Sequence, residues 1–113
     1  MSRREELNLH FRKIQTARGF NFSCESGVTT GPSLDYAIIL SGYDIAYTQH
    51  LINNIVAAQN NEPFEVSHLT DNLLDDFEVR IVPPNVEVTD SNYVIPMQVW
   101  KELMQEWLAF LQS

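Results

Sequence analysis

The residues able to do chemistry are three histidines, one cysteine and fifteen carboxylates. A metal site on a helix wants histidines at i and i+3 or i+4, or a histidine and a carboxylate at such spacing. His10, His50 and His68 do not pair in this way. His68 and Asp71 have the spacing, but two ligands do not make a site. Cys24 carries no local signature of a thiol nucleophile, so it is expected as a small buried residue. A single thiol forms neither an intramolecular disulfide nor a cysteine-based zinc site, and it points to a reducing, cytoplasmic setting. No nucleophile elbow, dinucleotide fingerprint or phosphate loop is present, and "TDNLLDD" lacks the alternation and the glycine of a calcium loop. No metal or cofactor is therefore expected. Acid–base work by paired carboxylates needs a cleft with Arg or aromatic clamps, and Arg80 is the one arginine after position 18. An enzyme is the least favoured class.

The carboxylates are the larger signal. Between Glu62 and Asp90 eight of them stand against Arg80 alone: Glu62, Glu65, Asp71, Asp75, Asp76, Glu78, Glu87 and Asp90. The 113-residue chain has a net charge of −8, unevenly spread. Its first eighteen residues hold five bases against two acids, and the remainder holds thirteen acids against Arg80 and Lys101. Such a field argues against binding nucleic acid or an anionic membrane and favours encounter with a cationic protein. No apolar run reaches the roughly 18 residues that a membrane-spanning helix needs, and "MSRREELNLHFRK" lacks the apolar core of a signal peptide.

The elements that must position these groups make one α+β domain over residues 1–113, with 44% apolar residues to supply its core. Ser2–Arg18 reads as a helix: Ser2 and Glu5 form a capping box, Leu7, Phe11 and Ile14 share a face, and Gly19 closes it. Its bases line a solvated outer face or pair with the acidic body. Phe20–Cys24 alternates as a strand does, and Glu25–Ser33 is a loop by composition. Tyr36–Leu40 fits a strand or buried helix, with Ile38 and Ile39 favouring strand. A heavily buried helix runs from about Asp44 to Asn60, stopped by Asn60–Asn61 and Pro63. "PFEVSHL", "FEVRIV", "VEV" and "NYVI" are short strands, with a turn at Asp90–Ser91. Pro96 opens a C-terminal helix whose stripe holds Trp100, Leu103, Met104, Trp107, Leu108 and Leu111. The expected architecture is a mainly antiparallel sheet of about four to six strands packed with N-terminal, central and C-terminal helices.

In the strands the acids alternate with apolar Phe64, Val66, Phe77, Val79, Val86 and Val88. Glu65, Glu78 and Glu87 then point away from the core, where opposed carboxylates would repel. Together with Asp71, Asp75, Asp76 and Asp90 they form the expected partner-binding surface. An acidic single-domain chain of this size, closing on "YVIPMQVWKELMQEWLAFLQ", resembles the immunity proteins of bacterial toxin systems. The resemblance implies an inhibitor that blocks a basic toxin domain such as a nuclease, and the chain is expected to be a cytoplasmic monomer or homodimer. Other readings are a structural or adaptor subunit of a phage or secretion complex, which would bury an apolar patch, and an acidic mimic of nucleic acid.

Overall fold

Asn8 adopts a left-handed backbone, with φ +57°, and it ends the expected N-terminal helix after one turn. The computed structural model describes residues 3–28, 31–70, 77–88 and 93–113. Helix α1 is only Arg3–Glu6, and it is followed by an antiparallel hairpin of β1, Leu9–Thr16, and β2, Gly19–Ser26. The helix expected over residues 2–18 is thus corrected to one helical turn and a strand. Leu7, Phe11 and Ile14 do have helical spacing, but the period that is buried is two. Leu9 is buried, Phe11 is half-buried and Ile14 is exposed. Ala17 and Arg18 form the two-residue turn. Thr16 Oγ1 accepts from Arg18 N at 3.3 Å and donates to the Gly19 carbonyl at 2.9 Å. Gly19, at φ +123°, supplies a conformation that other residues seldom adopt.

Helix α2, Pro32–Ser41, replaces the strand expected at Tyr36–Leu40. Tyr36, Ala37, Ile39 and Leu40 are buried and Ile38 is half-buried, so the helix is apolar almost all round. Such a helix has no amphipathic period to read. Pro32 sits in its first turn, where no backbone donor is missed. Helix α3, Ile45–Gln59, begins at Asp44, whose side chain accepts from Tyr47 N at 2.7 Å. It ends in a Schellman motif: Asn61 is left-handed at φ +59°, Asn61 N donates to the Ala58 carbonyl, and Glu62 N donates to the Ala57 carbonyl.

Strands β3 (Ser67–Thr70), β4 (Phe77–Val82), β5 (Asn85–Val88) and β6 (Tyr93–Pro96) form an antiparallel sheet in that order. The strand expected from Pro63 begins only at Ser67. The β4–β5 turn is Pro83–Pro84, joined by a cis peptide bond. Among the described residues the six strands therefore fall into two sheets, of two and four strands, rather than one. Helix α4, Met97–Leu111, closes the core with Trp100, Leu103, Met104 and Trp107, each at most 1% exposed. The inner side of the four-stranded sheet adds Val79, Ile81, Val86, Val88 and Ile95 to the same apolar cluster. The hairpin docks on the other end of α4, where the Phe11 ring lies 5.1 Å from that of Trp107 and the Phe22 ring 5.6 Å from that of Phe110.

Candidate functional site

Burial of Val79, Ile81, Val86, Val88 and Ile95 turns the intervening side chains of β4, β5 and β6 to the opposite face of the sheet. Glu78, Arg80, Val82, Asn85, Glu87 and Val94 lie there. Val94 is 55% exposed and Val82 40%, so this face is uncovered. Of the acids expected to form the partner surface, Glu78 and Glu87 belong to it, and both are half-buried. Asp71, Asp75, Asp76 and Asp90 lie outside the described residues. The expected repulsion between opposed carboxylates is corrected for this pair. The register sets Glu87 between Arg80 and Val94, and Glu78 opposite Leu69. A charge of opposite sign directly across the ladder is favourable rather than repulsive.

Glu65 is held elsewhere. It precedes β3, and the buried Asn54 of α3 clamps its backbone. Asn54 Nδ2 donates to the Glu65 carbonyl at 2.9 Å, and Glu65 N donates to Asn54 Oδ1 at 2.8 Å. The Glu65 side chain reaches outward to His50, with Oε1 3.3 Å from Nε2. Asn54→Ala removes both backbone bonds but leaves an exposed peptide for water to satisfy. The expected loss is about 1–2 kcal/mol, with faster amide exchange at Glu65. Exchange at the wild-type rate would contradict the clamp.

The N-terminal bases are divided between the two expected roles. Arg3 reaches Glu6 at 2.7 Å and Glu102 of α4 at 3.3 Å, and these hydrogen bonds, Glu6's first, raise its pKa. The Glu106 carboxylate accepts the backbone N–H groups of Arg3 and Arg4. On the hairpin, Arg12 pairs with Glu25 at 3.0 Å. Lys13 Nζ lies 4.5 Å from the centre of the Phe20 ring. The α4 acids Glu102 and Glu106 are thus committed within the protein.

A groove of about 470 Å³ lies between the tip of the hairpin, the α2–α3 junction and the end of α4. Phe20, Phe22, Tyr43, Ile45, Trp107 and Leu111 line it. Phe20 is 54% exposed and Ile45 45%. The helix expected over residues 2–18 excludes this groove, because its first wall exists only where β1 and β2 pair. The alternation in "FNFSC" marks β2, but nothing in the spacing of residues 9–16 marks β1 as its partner.

Cys24 is buried, and desolvation, with Glu25 nearby, pushes its thiol up to about 12. Burial likewise pushes the Tyr36 hydroxyl up to about 12 and the Tyr43 hydroxyl well above its ordinary value. A thiol that stays protonated at neutral pH is a poor nucleophile. Among the described residues no three His, Cys, Asp or Glu side chains come together as a metal site would require. None of the described helices is long and apolar enough to cross a membrane. Compared with protein-family models, curated proteins and solved structures, the chain matches none.

Proposed function

We propose that this protein is a small acidic inhibitor that neutralises a basic protein partner, in the manner of the immunity proteins that its sequence resembles. It would do so by laying carboxylates over the Lys and Arg side chains with which a toxin domain, such as a nuclease, holds phosphates. The observation that supports this reading is the uncovered outer face of the four-stranded sheet. It carries Glu78 and Glu87 with Arg80, within a stretch that holds eight acids and one base. Charge-assisted hydrogen bonds are the strong kind, and a field of one sign speeds encounter with a partner of the other. The reading needs no metal and no cofactor.

The test uses the purified product of the reading frame directly upstream. The expected result is a stoichiometric complex in which that product loses its activity, with affinity falling as salt is raised. A salt-insensitive complex would indicate an apolar interface and an adaptor role. No complex at all would remove the inhibitor reading.

A further inference from the structure

The backbone of β2 carries a feature that none of the acidic surface requires. Gly27 N donates to the Asn8 carbonyl at 2.8 Å, continuing the β1–β2 ladder, while Cys24 N turns away from β1 to the Ser41 hydroxyl at 2.9 Å. Antiparallel pairs alternate between exchanging both bonds and exchanging none. The register Phe11↔Cys24, Lys13↔Phe22, Gln15↔Phe20 then gives Phe22 and Phe20 the same outward-facing N–H and C=O groups as Cys24. The Ser41 hydroxyl lies within hydrogen-bond distance of both Cys24 backbone groups. Among the described residues it closes the edge there and nowhere beyond. The open stretch at Phe20–Phe22 runs along the apolar groove, with Ile45 at the start of α3 as the facing wall.

We infer that this edge takes a short extended segment of a partner protein as a third strand of the hairpin sheet. An open row of backbone donors and acceptors beside alternating apolar pockets is what strand addition uses. The strand would run antiparallel to β2. Its residues opposite Phe22 and Phe20 would each exchange two backbone hydrogen bonds with β2, and their side chains would point into the groove, so both must be apolar. The residue between them, opposite Asn21, faces water. The C-terminal end of the strand passes the hairpin tip, where Arg18 is exposed, so acidic residues fit there. A second copy is the poorer occupant, because it would set one basic hairpin against another. The inference does not rest on the acidic sheet face, and either can fail alone.

The probe is a capped peptide, TVTVDD, titrated into the full chain and followed by backbone amide resonances. Saturable shifts are expected at Phe20 and Phe22, with slower amide exchange at both. The same peptide with both valine nitrogens methylated keeps its side chains and loses the ladder. It is expected to bind at least about tenfold more weakly, equivalent to about 1.4 kcal/mol. Ile45→Glu places a carboxylate at a helix N-terminus, where it is tolerated, so the variant should melt like wild type but lose the peptide. Three results would each overturn the inference. One is equal binding of the methylated peptide, and another is no saturable shift up to about 2 mM, a limit set by millimolar affinity being worth about 4 kcal/mol. The third is concentration-dependent shifts at Phe20 and Phe22 without peptide, which would assign the edge to self-association.

Discussion

Replacing Trp107 with alanine is expected to remove about 3–5 kcal/mol of stability, close to the whole margin of a small domain. The melting temperature should fall by more than about 10 °C, if the domain is populated as folded at all. Trp107 is 1% exposed, and it meets Phe11 edge-on at 5.1 Å and Phe110 at 5.8 Å. It therefore joins α4 to the hairpin as well as filling the core. Its indole Nε1 also donates to the Tyr43 carbonyl at 3.0 Å, deep in the protein. Trp107→Phe keeps most of the ring volume but strands that carbonyl, so an intermediate loss is expected. If Trp107→Ala melts within a degree or two of wild type, the packing described here is wrong.

Ile39→Pro is the second large expected effect. Proline inside a helix removes an i→i−4 hydrogen bond and clashes with the preceding turn, at about 3 kcal/mol or more. Ile39 lies well inside α2 and is fully buried, so the loss of its apolar side chain adds to that. Ile39→Val is the control. It keeps a β-branched apolar residue and should cost only about 0.5–1.5 kcal/mol. Denaturant titration of the two variants separates helix from strand at this position. Near-equal midpoints would favour an edge strand, where proline is tolerated.

The elements legible in the sequence were those with one unambiguous period. Trp100, Leu103, Met104 and Trp107 repeat as α4 requires, and α3 carries both its stripe and its Asn stop signal. β4 and β5 alternate cleanly around Val79, Ile81, Val86 and Val88. Misreading came where two periods fit the same residues. Leu7, Phe11 and Ile14 satisfy a helix, while Leu9 and Phe11 satisfy a strand. The deciding feature was the left-handed Asn8, which a propensity argument does not reveal. In α2 the apolar residues are nearly continuous, so the helix has no polar face to announce it. Glu78 and Glu87 came to the outer face as their alternation implied. That Glu87 sits across from Arg80 depended on the β4–β5 register, which the Pro83–Pro84 turn sets and the composition does not. Glu65 was grouped with the sheet acids, yet it is positioned by Asn54, a residue whose helical spacing gave no hint of a long-range role.

The most direct test of the acidic face is the salt dependence of binding to the upstream gene product, for wild type and for the Glu78→Gln/Glu87→Gln variant. Both substitutions keep the side-chain shape and remove charge, and neither residue is fully buried, so folding should survive. Affinity would be measured between about 50 and 300 mM salt, a range over which screening of exposed charges changes strongly. The variant is expected to bind about five- to thirtyfold more weakly at low salt, at roughly 0.5–1 kcal/mol for each of the two surface charge pairs. A shallower decline with salt and a slower on-rate are also expected. The same affinity and the same salt slope in both proteins would contradict this role for the acidic face.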